Sequence, residues 1–509
     1  MTSPASPPPP RVDPAPPGGT AVPLGVHALR GTAWSVLEKW GSRLTQLLVF
    51  VMLSRLLDPT VFGVVAIASV VLDLVRILVD QGFSQAIVVE DEPDRRFVST
   101  AFWVGVAASV VCAAAMFALA PVIAGYYDEP QLTAVLRWLS LGFVLQAGAG
   151  VPNALLSREF KFRQLAVRRL VSVALGGIVG IVVAAAGGGV WALVSQTLVT
   201  LAGAVVVLYA ATRFRPSLTF GREHWKRLVR FSSGVLGVDL MTWAAGNLDK
   251  LIVGAVLGTK ALGYYYIAWR ILMLATEVMT GVMSAVALPL FSRLKGDREA
   301  TVRALMKATK VSVSVAAPVF VTILVLAPEL VPVVFGRQWS DAVVLTQVLC
   351  VSGLVFSVTF FDRSVLYAAG RPVLELVVAA ATAVGTALAS FVGAHWGLVG
   401  VCVLLVVRTW GLWPLRIVFL RRVTGLSVLR YLAQWSRPVL ATLPAAAAGV
   451  GLGALLGGAP PLLLLVLGAV VMVLVYALVL FLLDRGFVTD LLRTARSALR
   501  RRPSPKAAL

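Results

Sequence analysis

Charged residues interrupt the long apolar runs of this sequence, and several of them recur at helical spacing. Asp73, Arg76 and Asp80 fall on one face of a helix, and Arg270 and Glu277 fall on one face of another. Ionisable groups are costly inside a bilayer, so they mark either paired helix interfaces or water-filled cavities. Polar stripes on otherwise apolar helices are expected to face a wet interior rather than lipid.

Six residues at membrane depth are the candidates for a binding cavity: Arg43, Arg76, Asp249, Lys250, Arg270 and Glu277. A structural alternative stays open, because the same charges could pair between helices and only fix their packing. Three other arginines stand near the predicted membrane surfaces and are expected to extend their guanidinium groups toward water: Arg137, Arg363 and Arg416.

The familiar catalytic motifs are absent from the sequence. It has no HExxH, no GxSxG and no phosphate-binding loop ending in GKS or GKT, and its three histidines are scattered. The three cysteines lie inside apolar runs without a CxxC pattern, which predicts buried thiols rather than a metal site. We therefore predict no cofactor, no metal and no enzymatic activity. The enzyme alternative is a membrane-embedded glycosyltransferase, and its best acidic outer loop, at Asp128–Glu129, is short.

The elements that position these charges are long apolar helices. Of the 509 residues, 59% are hydrophobic and 14% are charged, whereas soluble proteins are about half apolar and roughly a quarter charged. A bilayer demands about 20 apolar residues from each spanning helix. The fourteen runs that meet this demand begin near Gly31, Val61, Ser99, Leu132, Ala166, Val190, Leu228, Leu262, Val311, Val343, Leu374, Leu398, Val439 and Leu462.

The loops between these runs carry an asymmetric charge. Nearly all loop lysines and arginines fall on the side of the N-terminus, and the opposite loops hold only Lys260 and Arg337. Because positively charged loops stay in the cytoplasm, both termini are predicted to be cytoplasmic and the number of spans to be even. The net charge of +21 thus reflects topology and attraction to anionic membrane lipids, and it does not indicate nucleic acid binding.

An internal repeat divides the chain. Residues 55–68 align without gaps on 255–268, with identities at Leu57/Leu257, Gly63/Gly263, Ile67/Ile267 and Ala68/Ala268. The offset of 200 residues matches six spans to six spans, and an even number of intervening spans makes the repeat parallel. Each repeated glycine is expected to follow a tight outer turn and to pack where a Cβ does not fit.

These observations predict an all-α, polytopic integral membrane protein with about 14 transmembrane helices, arranged as two six-helix lobes plus two C-terminal helices. The predicted divisions are a disordered Pro-rich cytoplasmic tail at 1–30, an N-lobe at 31–213, a C-lobe at 214–430, extra helices at 431–485 and a basic cytoplasmic tail at 486–509. The Pro-rich tail before Gly31 and the basic residues after Arg493 offer no apolar face to bury, so both are expected to be dispensable for folding.

Three segments resemble the signatures of a known transporter family. They are LSRLLDPTVFGVVAIASVVLDLVRILVDQGFSQAIV at 53–88, LDKLIVGAVLGTKALGYYYIAWRI at 248–271, and APELVPVVFGRQW at 327–339 followed by VLYAAGR at 365–371. The family is that of the polysaccharide exporters and oligosaccharide-lipid flippases of the multidrug/oligosaccharidyl-lipid/polysaccharide (MOP) superfamily. The chain most resembles the colanic acid and teichuronic acid exporters. It departs from the family pattern at Asp58, where glycine is usual, and this surface change should be tolerated.

The resemblance implies a function that the residues alone leave open. It implies two six-helix bundles that alternate in access and flip an undecaprenyl-pyrophosphate-linked oligosaccharide from the inner to the outer leaflet of the bacterial cytoplasmic membrane. A polysaccharide polymerase and glycosyltransferases would be partners. Pyrophosphate is a multivalent anion, which arginine recognises through its planar fork. Two alternatives on the same fold stay open: an ion-coupled exporter of small cationic compounds and a flippase for the peptidoglycan precursor.

Overall fold

The computed structural model of the protein is helical throughout the residues that it describes. These are residues 24–500, apart from 81–93, 160, 213, 214, 218, 220 and 295. Residues 1–23 of the predicted tail at 1–30 and residues 501–509 of the predicted basic tail lie outside them. Residues 24–30 and 486–500 of the two predicted tails are helical. The described part of the chain contains no strand, and the prediction of an all-α fold is confirmed.

We number the helices in chain order. The first six are α1 (Leu24–Leu56), α2 (Pro59–Asp80), α3 (Arg95–Tyr126), α4 (Pro130–Arg158), α5 (Phe162–Ala185) and α6 (Val190–Thr212). The helical stretch Arg222–Arg293 breaks at Gly258, where φ is 84° and ψ is 172°, so its parts are α7 (222–257) and α8 (259–293). The remainder are α9 (Arg298–Val334), α10 (Ala342–Ala368), α11 (Pro372–Ala394), α12 (Gly397–Thr424), α13 (Val428–Leu455), α14 (Pro461–Leu483) and α15 (Arg485–Arg500).

Twelve stretches of the described chain are long and apolar enough to cross a membrane. One of them, Asp239–Glu277, runs across the break at Gly258 and contains parts of α7 and α8, and α1 is not among the twelve. Every one of the fourteen predicted starts falls within one of the helices α1 to α14. The chain is therefore a multi-pass membrane protein, as predicted.

The packing of the helices follows the repeat. In the first half, α1 packs on α5, α3 on α4, and α5 on α6; in the second half, α10 and α11 contact the α7–α8 stretch, and α11 packs on α12. The largest contact between the halves is α2 against the α7–α8 stretch, while α13 and α14 both pack on α9. These contacts support the two predicted lobes, whose boundaries after residues 213 and 430 stay predictions.

The two repeated glycines pack across the interface between the halves. A Cβ on Gly63 would overlap the carbonyl group of Thr259, and a Cβ on Gly263 would overlap the carbonyl group of Pro59. The two contacts are equivalent under the repeat, since each glycine meets the residue four positions before its counterpart. The prediction that no Cβ fits at these glycines is confirmed.

Hydrogen bonds join the two halves at this same end of the molecule. The loop between α9 and α10 reaches α1, where the Gln338 amide and the Trp339 indole donate to the carbonyl of Ser54 at 2.9 and 2.8 Å. In return, the Nε of Arg55 donates to the carbonyl of Val334 at 2.9 Å. The first helix is thereby tied to the second half of the chain.

Ion pairs at Asp484 attach the last two spans to the rest of the protein. Its Oδ2 lies 2.6 Å from the ammonium of Lys310 on α9 and 3.1 Å from the guanidinium of Arg437 on α13. Burial tends to raise the pKa of Asp484, but the hydrogen bonds from Lys310 and Arg437 outweigh burial and lower the pKa below its ordinary value. The carboxylate therefore stabilises the contact of α9, α13 and α14 in its ionised form.

We expect Asp484→Asn to lower the free energy of unfolding by about 1–3 kcal/mol, because it leaves two cations without their carboxylate. Since the pKa of Asp484 is lowered on folding, its stabilisation is present above the ordinary carboxyl pKa of about 4 and is lost as the pH falls through the folded value. Thermal unfolding of the detergent-solubilised protein measures the effect. Glu299→Gln, which breaks an exposed pair with Arg303, should change little, and equal melting temperatures for wild type and Asp484→Asn would contradict this role.

Candidate binding cavity between the two halves

A cavity of about 270 Å³ lies between the two halves of the protein. Side chains of α1, α2, α6 and α8 line it, and Arg270 on α8 supplies a positive charge. The other polar side chains of the lining are Gln46, Ser69, Gln196, Thr197 and Tyr266. None of the described residues that line this cavity is acidic.

Aromatic rings form the part of the cavity wall nearest the end where α1 is hydrogen-bonded to the loop between α9 and α10. Phe50 and Phe62 meet edge to face, with their ring centroids 5.8 Å apart, and Phe62 meets Trp339 at 5.3 Å. The guanidinium of Arg270 lies 5.9 Å from the centre of the Phe50 ring, within cation–π range. The wall therefore combines a cation, neutral hydrogen-bonding groups and aromatic faces.

Arg43 and Glu277 lie on the same seam between α1 and α8. The guanidinium of Arg43 donates to the backbone carbonyl of Glu277 at 3.4 Å. Arg43 stands three positions before Gln46, and Glu277 seven positions after Arg270, so each shares a helical face with a residue of the cavity lining. The structure thus joins Arg43 to the backbone of Glu277, on the two helices that also contribute Gln46 and Arg270 to the lining.

Arg76 and Lys250 form a second charged group, between α2 and α7. The charges of both residues act on Asp73. The ammonium of Lys250 is buried, donates to Oδ1 of Asn247 at 2.9 Å and lies 5.6 Å from the ring centre of Trp269. This group lies beside the cavity, and neither cation is part of its lining.

Asp249 stands apart from the other candidates. It is 2% exposed, and its Oδ2 accepts a hydrogen bond from the hydroxyl of Tyr265. Its charge acts on Arg408 of α12, and it does not line the cavity. Although Asp249 and Lys250 are neighbours in sequence, they point to different surroundings. The position of Asp249 favours the structural alternative for this residue.

The prediction that Arg416 extends toward water is wrong. Arg416 is 6% exposed, and its guanidinium donates to Oε1 of Glu375 at 2.8 Å and to the carbonyl of Thr359 at 3.0 Å. Position near the end of a span suggested a solvated guanidinium. The acidic partner on α11 compensates its burial instead.

Sequence reasoning missed the uncharged part of the cavity lining, because it searched for ionisable groups alone. Gln46 and Gln196 could have been predicted as lining residues, since a neutral amide in an apolar span also needs a polar partner. Tyr266 carried none, because a tyrosine among apolar residues is equally typical of helix packing. Only the folded arrangement distinguishes these alternatives.

The family described as "Polysaccharide biosynthesis protein" matches residues 52–344, more than half of the chain. The protein belongs to this family. The resemblance seen in the three sequence segments is thereby confirmed, and the matched range includes Arg76, Asp249, Lys250, Arg270 and Glu277.

Curated relatives carry names from polysaccharide biosynthesis. The chain is 30% identical over 313 residues to the succinoglycan biosynthesis transport protein ExoT of Rhizobium meliloti, covering 62% of this chain and 63% of the relative. It is 24% identical over 452 residues to the lipopolysaccharide biosynthesis protein WzxC of Escherichia coli, covering 86% and 89%. It is also 24% identical over 347 residues to the teichuronic acid biosynthesis protein TuaB of Bacillus subtilis, covering 67% and 71%.

Solved structures show the same fold. The lipid II flippase MurJ in an inward closed conformation superposes with a TM-score of 0.72 at 12% identity, over 89% of this chain and 99% of that one. An inward-facing multidrug resistance MATE family transporter of the MOP superfamily superposes with a TM-score of 0.61 at 19% identity, over 77% and 95%. The chain shares the fold of these two transporters.

Proposed function

We propose that the protein is a flippase that moves an undecaprenyl-pyrophosphate-linked oligosaccharide from the inner to the outer leaflet of the bacterial cytoplasmic membrane. It acts by alternating access of the cavity between its two lobes and serves cell-surface polysaccharide biosynthesis. It performs no covalent chemistry on its cargo. A polysaccharide polymerase and glycosyltransferases would work beside it on the same lipid-linked substrate.

The chemistry of the cavity lining carries this proposal. Arg270 offers a planar fork of N–H donors that matches phosphate oxygens. The amides of Gln46 and Gln196 and the hydroxyls of Ser69 and Thr197 can exchange hydrogen bonds with sugar hydroxyls. The faces of Phe50 and Phe62 supply apolar area for a sugar ring. A sugar phosphate presents all three kinds of group at once.

The same lining opposes the export of small organic cations. Such a cargo calls for a carboxylate in the cavity, and the described lining offers a guanidinium instead. Arg43 adds a second cation on the adjoining seam. An anionic cargo also benefits from an inside-negative membrane potential, which favours outward movement of each negative charge by about 2.3 kcal/mol per 100 mV.

Both termini are proposed to lie in the cytoplasm, because the loops on their side hold nearly all the loop cations. In intact cells, a cysteine introduced at Lys260 should react with a membrane-impermeant thiol reagent, whereas cysteines within residues 213–230 should react only after permeabilisation. Wild-type protein provides the control for its three native cysteines. The reverse labelling pattern would contradict the orientation.

The proposed function is tested by deleting the gene in its host. The deletion strain should lose surface polysaccharide and accumulate lipid-linked oligosaccharide in its membranes, and a plasmid copy of the wild-type gene should reverse both effects. Normal surface polysaccharide together with increased sensitivity to cationic dyes would contradict the proposal and favour the cation exporter.

A further inference from the structure

A second cavity lies in the second half of the chain, at a distance from the site described above. Its volume is about 510 Å³, and residues at the ends of α8 to α12 and in the turns between these helices line it. The two cavities share no described lining residue. The second cavity is therefore separate from the proposed cargo site.

Three arginines line the second cavity, and they come from three separate parts of the chain. Arg298 is the first residue of α9, Arg371 directly precedes α11, and Arg422 lies in the last turn of α12. The one acid of the described lining is Asp297, whose Oδ1 accepts from the backbone N–H of Ala300 at 2.8 Å. Three guanidinium groups and one carboxylate leave the lining with an excess of positive charge.

The guanidinium groups of these three arginines are not used within the protein. All three side chains are exposed, and none forms an ion pair or donates a hydrogen bond within the described part of the chain. Other arginines at this end of the molecule do have partners, since Arg303 pairs with Glu299 at 3.2 Å and Arg363 with Glu375 at 3.8 Å. The cavity therefore offers both positive charge and free N–H donors to an anionic ligand.

Apolar side chains form another part of the lining. Phe291 and Val365 are buried, and Leu374 and Val423 are half-buried. A small hydrated anion gains nothing from such a surface, whereas a ligand that combines a phosphate with hydrocarbon does. The composition of the lining thus favours an amphipathic anion.

The ends of two membrane spans place the arginines at the depth of lipid headgroups. The span Val373–Ala394 has 22 residues, which at 1.5 Å per residue just crosses a hydrocarbon layer of about 30 Å. Arg371 stands two residues before this span, and Arg422 stands two residues before the end of the span Gly397–Thr424. Both arginines therefore lie where the hydrocarbon layer gives way to phosphate groups.

The face of α11 beside the cavity suits the hydrocarbon chains of a lipid. Val373, Val377, Val384 and Leu388 are between 46% and 67% exposed, and their spacing places them on one face of the helix. This face begins two residues after Arg371. A phospholipid whose phosphate meets Arg371 can therefore lay its acyl chains along α11.

We propose that the second cavity binds the phosphate of an anionic phospholipid through Arg298, Arg371 and Arg422. Basic pockets between the ends of membrane helices are suited to such headgroups. In the proposed orientation the cavity lies on the cytoplasmic side, so the lipid belongs to the inner leaflet. This lipid is a resident ligand of the second half of the chain, and its binding does not depend on the nature of the cargo.

Lipid binding by the purified full-length protein in mild detergent tests the proposal. The protein is titrated with phosphatidylglycerol or with phosphatidylcholine of the same acyl chains, and native mass spectrometry measures the retained lipid. Wild type should prefer phosphatidylglycerol. Each arginine contributes about fivefold in affinity for an anionic lipid. The triple variant Arg298→Gln, Arg371→Gln, Arg422→Gln should therefore bind phosphatidylglycerol about a hundredfold more weakly and phosphatidylcholine as before.

A second triple variant, Arg293→Gln, Arg421→Gln, Arg430→Gln, is the matched control. It removes the same charge from exposed positions at the same end of the molecule, and none of the three residues lines the cavity. The control should keep the preference for phosphatidylglycerol. An equal loss in both triple variants would overturn the proposal, because it would show attraction by the whole basic surface.

Two results with wild type alone would also overturn the proposal. One is equal retention of the two lipids, which would show that the headgroup charge is not recognised. The other is binding of inorganic phosphate without retention of phosphatidylglycerol, which would assign the cavity to a soluble anion. Because all the substituted arginines are exposed, the variants are expected to fold, and their melting temperatures check this.

Discussion

Replacing Arg270 by lysine is expected to reduce export of surface polysaccharide about tenfold or more, although the positive charge is retained. Arg270 lines the cavity between the lobes and lies over the ring of Phe50, with no ion-pair partner among the described residues. A guanidinium binds phosphate through two parallel hydrogen bonds, and an ammonium cannot reproduce that fork. Losing one charge-assisted bond costs about 1.5–3 kcal/mol, which corresponds to about ten- to hundredfold in binding.

The measurement is surface polysaccharide in cells that carry the variant, with membrane abundance determined in parallel. Arg43→Lys and Lys250→Ala are tested alongside, because the sequence made both residues candidates for the binding cavity. Arg303→Lys, on an exposed pair with Glu299, is the matched surface control. If Arg270→Lys, Arg43→Lys and Lys250→Ala all export normally at normal abundance, these residues do not bind the cargo.

Replacing Gly63 or Gly263 by leucine should sharply lower the amount of folded protein in the membrane, and alanine should already be harmful. Even a single added carbon would overlap a backbone carbonyl, of Thr259 or of Pro59, and backbone cannot rotate away as a side chain can. Overpacking of this kind costs about 1–3 kcal/mol and sometimes more. Because both glycines hold the lobes together, the double variant should be worse than either single one.

Fluorescence-detected size-exclusion chromatography of solubilised membranes measures the folded fraction. Gly105→Ala on α3 and Gly411→Ala on α12 are the controls, since a Cβ at either position meets no atom within 4 Å. Both controls should fold as well as wild type. Normal folding of Gly63→Leu and Gly263→Leu, with transport lost, would contradict a packing role and assign these glycines to the transport cycle.

The sequence predicts the helices well because the bilayer imposes a length and an apolar composition on each of them. The bilayer does not constrain the length or composition of helix ends that lie in water. α9 begins at Arg298 and α13 at Val428, before the predicted Val311 and Val439, since charged residues outside the membrane can continue a helix. The repeated glycines were also predictable, because a close contact with backbone requires a residue without a Cβ at both equivalent positions.

The candidate site was predictable only in part, because a charge in an apolar run does not reveal its partner. Arg270 lines the cavity and Arg43 lies on its seam, yet Asp249 is held by Tyr265 inside the second half of the chain. Arg416 was assigned to the membrane surface and proves to be paired with Glu375. In both cases the partner lies on another helix, and the spacing of residues along the sequence does not indicate which helices pack against each other.

The most direct test of the proposed function is translocation by the purified protein in proteoliposomes. Vesicles are prepared with a lipid-linked oligosaccharide in both leaflets, and a membrane-impermeant glycosidase reports the fraction that is accessible from outside. Protein-containing vesicles should expose the inner-leaflet pool in addition to the outer one, whereas Arg270→Lys vesicles should do so much more slowly. An accessible fraction equal to that of protein-free vesicles, with correctly folded protein present, would contradict the claim that this protein flips lipid-linked oligosaccharides.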